Sequence, residues 1–128
     1  MPALKNLIPN IWVADMSRSV AFYTERLGFS VAMAVPDKPP YVWARLLRDD
    51  VAIDLNNPET AAKDYPGLSG KPLGATAVLF IEVEGVRTLH DELKSDVAIV
   101  MPLIKQFYGA TEFAIADPDG YVITFAEH

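Results

Sequence analysis

The sequence predicts an α+β fold built from two copies of a strand–helix–three-strand unit. Residues 43–55 and 113–125 each read as an apolar strand, a tight acidic turn and a second apolar strand. A strand running into a short amphipathic helix precedes each hairpin, over residues 7–27 and 77–94. Elements in this order are expected to form mixed sheets, each with its helix on one face. A ligand would then be expected where the two copies face each other.

The first copy is predicted over about residues 6–56. Apolar and polar residues alternate along 6–14, which indicates a strand. Asp15 is a candidate N-cap for a helix over about 16–26, and Gly28 follows at a position typical of a helix end. The apolar stripe of this helix is formed by Met16, Val20, Tyr23 and Leu27. Three further strands are expected at 29–35, 41–48 and 51–56.

The second copy is predicted over about residues 76–127. Residues 57–74 are rich in proline and glycine and are expected to form the loop that joins the copies within a single domain of residues 1–128. Asp117-Pro118-Asp119-Gly120 is a strong turn signal, since proline presets one dihedral angle and glycine accepts a positive one. The expected elements are a strand at 76–84, a helix at 85–95 and strands at 97–101, 111–117 and 121–127.

The two faces of each predicted sheet differ in character. We expect the strand before the helix and the last strand of each copy to lie near the sheet centre. Their helix-facing residues are bulky, namely Ile11, Val13, Ile53, Leu55, Leu79, Ile81, Ile123 and Phe125. Their opposite faces are mixed, with Asn10, Trp12, Ala52, Asp54, Phe80, Glu82, Thr124 and Ala126. The mixed faces are therefore expected to meet a ligand, a partner or water.

Composition excludes several classes of function. The net charge of −6 repels a phosphate backbone, and the 11 Lys and Arg form no run, so nucleic-acid binding is not expected. The sequence contains no stretch of about 18 apolar residues, the length that would suggest a membrane span. The first residues do not resemble a secretory signal. The absence of cysteine excludes disulfides and thiolate metal sites and is compatible with a cytoplasmic location.

Two motifs resemble those of a known family. Residues 13–29, with Phe22-Tyr23 and Leu27-Gly28-Phe29 at the helix end, and residues 117–121 are together similar to the vicinal-oxygen-chelate superfamily. That group contains glyoxalase I, the bleomycin-resistance proteins and the extradiol dioxygenases. The resemblance covers essentially the whole chain. It implies two βαβββ modules that form half-barrel sheets around a concave cavity, commonly completed in a homodimer.

The resemblance also identifies the positions at which metal-using members hold their ion. In this sequence they fall on Ile8, Asp54, Val78 and Thr124, of which only Asp54 is an ordinary ligand for a divalent ion. The two histidines, His90 on a predicted helix and the terminal His128, are expected to be structural or mobile. The resemblance therefore points to the metal-free bleomycin-resistance type, with no cofactor and no catalytic residue. Members of that type bind a bulky cationic drug and do not transform it.

Seven residues are predicted to bind the ligand: Trp12, Asp54, Phe80, Phe107, Tyr108, Glu112 and Thr124. Aromatic rings offer a large contact area and can hold cations or planar heterocycles on their faces. Asp54 and Glu112 alternate with apolar neighbours and are expected to point away from the helix, where Asp54 would contact a ligand or a donor such as Trp12 or Asn10. Glu82, Tyr41 and Trp43 are weaker candidates. For the aromatic residues, interface or core packing is the alternative role.

Three functions follow as hypotheses. The favoured one is a metal-free, homodimeric protein that sequesters a hydrophobic or cationic antibiotic-like molecule. The second is a divergent lyase, isomerase or dioxygenase of the same superfamily, suggested by Asp54 at a ligand position. The third is an interaction module whose cavity is filled by side chains or by a partner.

Overall fold

The structure is a computed structural model that describes residues 1–74 and 76–128. These residues form two four-stranded mixed sheets and three α-helices. They divide into two compact units, residues 1–70 and 71–128, each with one sheet. The predicted α+β fold with a repeated strand–helix–three-strand unit is confirmed. None of the helices in the described residues is long and apolar enough to cross a membrane.

The first unit contains the sheet order β1-β4-β3-β2. Its elements are β1 (Asn10–Trp12), α1 (Met16–Ala21), a π-helical turn (Phe22–Arg26), β2 (Ser30–Val35), β3 (Trp43–Arg48), β4 (Val51–Asn56), α2 (Pro58–Asp64) and a 3₁₀ turn (Pro66–Leu68). Strand β1 runs parallel to β4, and the other pairs are antiparallel. Asp15 caps α1 by accepting a hydrogen bond from the Arg18 amide at 3.0 Å, as predicted.

The second unit repeats this arrangement with the order β5-β8-β7-β6. Its elements are β5 (Val78–Glu82), α3 (Val86–Leu93), β6 (Ala98–Lys105), β7 (Thr111–Ala116) and β8 (Val122–Glu127). Strand β5 is parallel to β8, and β6, β7 and β8 form an antiparallel meander. The Asp117 carboxylate accepts hydrogen bonds from the Asp119 and Tyr121 amides, both at 2.9 Å, and so holds the predicted turn.

The strands that precede the helices lie at sheet edges, and the prediction that they lie near the centre was wrong. Within the described sheets, β1 pairs only with β4, and β5 only with β8. In each unit, the two middle strands of the sequence order lie on the other side of the final strand, so the first strand is outermost. Strand β1 is also shorter than the predicted 6–14 and begins at Asn10, directly after Pro9, which has no amide proton to donate. The Pro9 carbonyl still accepts a hydrogen bond from the Asp54 backbone amide at 2.8 Å.

The joining segment is partly helical, which corrects the prediction of a loop over 57–74. Residues 58–64 form α2, capped by the Asn57 side chain, which accepts a hydrogen bond from the Thr60 amide at 3.2 Å. Pro58 occupies the first turn, where its missing amide proton leaves no bond unmade. Asn57 and Pro58 are therefore start signals for a helix, although both residue types are also common in turns.

Strand β6 continues past its predicted end at residue 101 to Lys105. It passes through Pro102, a residue that usually ends a strand. The pairing with β7 shifts register between Met101 and Ile104, and β6 is an edge strand. A bulge on an edge is where proline is tolerated, because no ladder hydrogen bond is lost there.

Helices α1 and α3 each pack their apolar side on one face of the sheet in their own unit. Met16, Tyr23 and Leu27 of the first helical segment are buried as predicted, and Ser19 is buried while Val20 is half-buried. On the sheet, Ile53 and Leu55 are at most 1% exposed. In the second unit, the buried residues of α3 are Val86, Leu89 and Leu93. The opposite face of each sheet is therefore free of its helix and carries the mixed residues.

Candidate functional site

The helix-free side of the first sheet carries two tryptophans and a row of polar groups. We name it the aromatic face, formed by Asn10, Trp12, Trp43, Arg45, Asp54 and Asn56. Paired residues on neighbouring strands point to the same side of a sheet. Asp54 pairs with Asn10 and Arg45, and Asn56 pairs with Trp12 and Trp43. These side chains therefore lie opposite the core residues Ile53 and Leu55.

Asp54 is held by Arg45 in a two-pronged ion pair. The guanidinium Nε donates to Oδ1 at 2.8 Å, and Nη2 donates to Oδ2 at 2.9 Å. Asp54 is 5% exposed, whereas the Arg45 side chain is 34% exposed. The hydrogen bond to Asp54, and then its negative charge, raise the pKa of Arg45 above its ordinary value. Both carboxylate oxygens of Asp54 thus face a fixed cation, in the geometry that guanidinium and carboxylate groups favour.

The same guanidinium lies over an aromatic ring. The Arg45 carbon Cζ is 5.6 Å from the centre of the Trp43 ring, within the range of a cation–π contact. Trp12, which lies across Asn56 from Trp43, is 9% exposed. The side-chain amide of Asn56 donates a hydrogen bond to the side-chain oxygen of Asn10. The aromatic face therefore presents a charge-compensated surface that is flanked by indole rings.

The helix-free side of the second sheet is charged differently. We name it the acidic face, formed by Phe80, Glu82, Glu112, Ala114, Thr124 and Ala126. Phe80, Thr124 and Ala114 make one row across β5, β8 and β7, and Glu82, Ala126 and Glu112 make the next. The prediction that Glu112 shares the side of Ala114, opposite Phe113 and Ile115, is confirmed.

Glu112 is buried and bonded to neutral groups. It is 3% exposed and accepts a hydrogen bond at Oε2 from the Tyr108 hydroxyl at 2.5 Å. Its Oε1 accepts a longer hydrogen bond from the side-chain amide of Gln106, at 3.5 Å. The hydrogen bond to Glu112 raises the pKa of Tyr108 above its ordinary value, and desolvation and the charge of Glu112 act in the same direction. Two of the predicted residues are thus in direct contact.

Phe107 and Tyr108 lie in the turn between β6 and β7. The backbone N–H of Gln106 donates a hydrogen bond to the Ala110 carbonyl at 2.7 Å. Gly109 adopts a φ of +97°, a conformation that favours glycine. The two rings meet edge to face, with their centres 5.1 Å apart. Phe107 is 99% exposed and Tyr108 50%. Tyr108 therefore joins Glu112, whereas Phe107 extends into solvent.

The residues at the metal positions implied by the resemblance do not fit a divalent ion. Asp54 is engaged by Arg45, and Ile8 and Val78 have no lone pairs to offer. Thr124 is buried on the acidic face and would provide only a hydroxyl. Across residues 1–74 and 76–128, no three His, Cys, Asp or Glu side chains converge to hold a metal. His90, which the sequence predicts to be structural, packs against Phe113 with 5.1 Å between the ring centres.

Sequence reasoning missed two residues that hydrogen-bond the carboxylates of these faces, Arg45 on the aromatic face and Gln106 in the turn beside the acidic face. Arg45 could have been found, because the two-residue turn at Asp49-Asp50 pairs Arg48 with Val51. Counting back from that pair places Arg45 opposite Asp54. The same register places Trp43, one of the weaker candidates from the sequence, on the aromatic face. Gln106 lies in an irregular turn, and no periodicity in the sequence identifies its contact with Glu112.

Comparisons with known proteins agree with this architecture. The profile of the Glyoxalase/Bleomycin resistance protein/Dioxygenase superfamily matches residues 7–125. Bleomycin resistance proteins from Geobacillus stearothermophilus and from Staphylococcus aureus (strain MRSA252) are each 30% identical, over 92% of this chain and 92% of theirs. The chain therefore belongs to this superfamily.

Solved structures share the fold at lower identity. A glyoxalase/bleomycin resistance protein/dioxygenase from Nocardioides has a TM-score of 0.81 at 18% identity, covering 99% of this chain and 85% of its own. UcmS2 has a TM-score of 0.75 at 24% identity and covers 98% of both chains. TioX from Micromonospora sp. ML1 has a TM-score of 0.76 at 16% identity, with coverages of 97% and 98%. At these identities, the similarity supports the fold alone.

Proposed function

We propose that this chain is a metal-free binding protein that sequesters a hydrophobic or cationic, antibiotic-like small molecule in a homodimer. The observation that carries the proposal is the engagement of Asp54, the one ordinary metal ligand among the implied positions, by Arg45 through both oxygens. A carboxylate fixed in this way is a poor partner for a divalent ion. It is well suited to hold Arg45 over the Trp43 ring as part of a recognition surface.

The chemistry of the aromatic face supports a planar ligand. Indole and guanidinium groups both stack on flat rings, and rigid side chains lose little entropy on binding. The 30% identical relatives are named bleomycin resistance proteins, which favours an antibiotic-like compound as the ligand class. The absence of cysteine suits the reducing cytoplasm, where we propose that the protein acts.

Fluorescence titration tests this proposal directly. The sequence contains two tryptophans, and both lie on the aromatic face, so a stacked ligand should quench their emission. We expect bleomycin or a planar aromatic amine to quench the wild type. We also expect a ligand at one hundred times its Kd to stabilise the fold by about 2.7 kcal/mol. If the ligand stacks on the ring beside Arg45, Trp43→Phe should lose most of the quenching. The matched variant Trp12→Phe should then keep it. A panel that changes neither fluorescence nor melting temperature would contradict the proposal.

Elemental analysis tests the metal-free part. Protein purified without chelator should carry much less than one equivalent of zinc, iron, manganese or nickel, because Asp54 is already paired with Arg45. A stoichiometric metal that Asp54→Asn removes would favour the enzyme hypothesis instead. The binding proposal would then have to be abandoned.

A further inference from the structure

We infer that Glu112 is the counter-ion for an ammonium or amidinium group of the ligand, which donates to its Oε1 atom on the acidic face. This inference rests on the proposed function and specifies which unit receives the positive charge. It concerns a different part of the chain from the Arg45–Asp54 pair. Four features of the second unit support it.

The first feature is a buried charge without a compensating cation. Glu112 is 3% exposed, yet its hydrogen-bond partners are the neutral Tyr108 and Gln106 side chains. In the part of the chain that the structure describes, no Lys, Arg or His nitrogen forms an ion pair with it. A buried carboxylate is costly unless a positive group accompanies it. Asp54, equally buried in the first unit, has such a partner in Arg45.

The second feature is the unequal use of the two carboxylate oxygens. Oε2 accepts a short hydrogen bond from Tyr108, at 2.5 Å, whereas the Gln106 amide approaches Oε1 only to 3.5 Å. The same amide nitrogen is also 3.8 Å from the Met101 sulfur, so it is not committed to Glu112. A carboxylate oxygen has room for about two donors. Oε1 therefore keeps capacity for a strong donor such as an ammonium group.

The third feature is the composition of the row that contains Glu112. Glu82 lies in the same row, with the small Ala126 between them. Strands lie about 4.8 Å apart, which places the two backbones roughly 10 Å from each other. The described residues of β5, β7 and β8 on this face include no Lys or Arg. Two carboxylates in one row, with no side-chain cation of these described strands beside them, make this part of the face negative.

The fourth feature is the apolar surface next to this region. Phe80 occupies the adjoining row and is 52% exposed, so it can contact the organic part of a cation. Tyr108 is half-exposed and sits in the turn beside Glu112, where its ring can do the same. A ligand that combines an amine with an aromatic group matches both surfaces. A simple inorganic cation would use only the carboxylate.

A matched pair of probes tests the inference. 2-Naphthylmethylamine is cationic at pH 7, and 2-naphthylmethanol has a similar shape without the charge. We expect the wild type to bind the amine more tightly by calorimetry. Glu112→Gln should weaken amine binding about tenfold or more, the usual effect of a charged hydrogen bond, and leave the alcohol unchanged. Glu92→Gln makes the same change of charge on the exposed side of α3 and should alter neither affinity.

The possible outcomes separate the two proposals. Binding of both probes with an unchanged preference in a folded Glu112→Gln variant would overturn the role of Glu112 and leave the proposed function standing. Equal affinity of the wild type for amine and alcohol would have the same effect. Failure of the wild type to bind bleomycin or either naphthyl probe would count against both proposals. If Glu112→Gln does not fold, Tyr108→Phe decides, because freeing Oε2 should strengthen amine binding alone, and an unchanged amine affinity would overturn the inference.

Discussion

Arg45 determines what Asp54 can do in this protein. A carboxylate at this position could in principle bind a metal ion, accept a proton or contact a ligand. Here both of its oxygens accept hydrogen bonds from one guanidinium group, which in turn lies over Trp43. The pair therefore turns a chemically versatile carboxylate into a fixed part of the aromatic face. Its effect on stability should depend on keeping both partners.

Substitution of the pair tests this dependence. We expect Arg45→Met to lower the urea midpoint of unfolding, because it leaves the buried Asp54 carboxylate without a cation. The double variant Arg45→Met, Asp54→Leu should recover part or all of the loss, since it removes the uncompensated charge as well. A single variant as stable as the wild type would show that the pair contributes nothing to folding.

Individual side chains were predictable where strand alternation fixes them. The sides of the sheet occupied by Asp54 and Glu112 follow from the apolar residues on either side of each. Their partners were not identified, because a partner depends on the register between strands. The register of Arg45 and Asp54 was available from the short turn between them, whereas Gln106 and Tyr108 reach Glu112 from an irregular turn.

At the scale of elements, helix α3 begins with a capping group from a distant strand. Gly85 precedes the helix with a φ of +84° and has no side chain to cap it. The Glu127 carboxylate, at the end of β8, accepts hydrogen bonds from the Gly85 and Val86 amides at 2.9 and 3.0 Å. These two backbone hydrogen bonds lower the pKa of Glu127 below its ordinary 4.5. The contact joins the helix to the last strand of its own sheet.

This contact predicts a specific dependence of stability on pH. A carboxyl group with a lowered pKa in the folded state stabilises the fold above its unfolded pKa and loses that effect as pH falls through the folded value. Glu127→Gln should therefore lower the melting temperature at pH 7, and the difference from the wild type should shrink as pH falls below about 4.5. Melting curves between pH 7 and 3 provide the measurement. A difference that is constant across this range would contradict the capping role.

Predicting the elements succeeded where hydrophobic periodicity and turn chemistry agree. Strand β4 was predicted at its observed bounds, and the span of the first helix is helical throughout, with a π turn at its end. The prediction of a loop over residues 57–74 failed because Asn and Pro can begin a helix as well as a loop. Strand order failed for β1 and β5, since pairing between strands distant in sequence leaves no local periodic signal.

At the scale of the whole molecule, exposed apolar side chains on an edge strand support the proposed homodimer. Strand β2 ends the first sheet, and its residues Val31, Met33 and Val35 are 38%, 57% and 53% exposed. An unpaired apolar edge is a site of association unless something covers it. A second copy of the chain is the covering that we propose.

Sedimentation tests the assembly. The wild type should behave as a particle of about twice 14.1 kDa, and Met33→Lys should shift it towards 14.1 kDa, because a buried ammonium group opposes association at the edge. Leu68→Lys, at a position that is 51% exposed in the 3₁₀ turn, serves as the control and should not change the mass. A wild-type monomer at all concentrations would contradict the dimer.

The two-residue turn between β3 and β4 limits how this protein can acquire new specificity. One extra residue at Asp49-Asp50 would place an apolar residue of β4 opposite Arg45 and rotate Asp54 towards α1. Substitutions within the turn preserve the alignment, whereas a one-residue shift of the register would dismantle the aromatic face. Divergence towards other compounds is therefore expected to exchange individual side chains and to conserve the length of this hairpin.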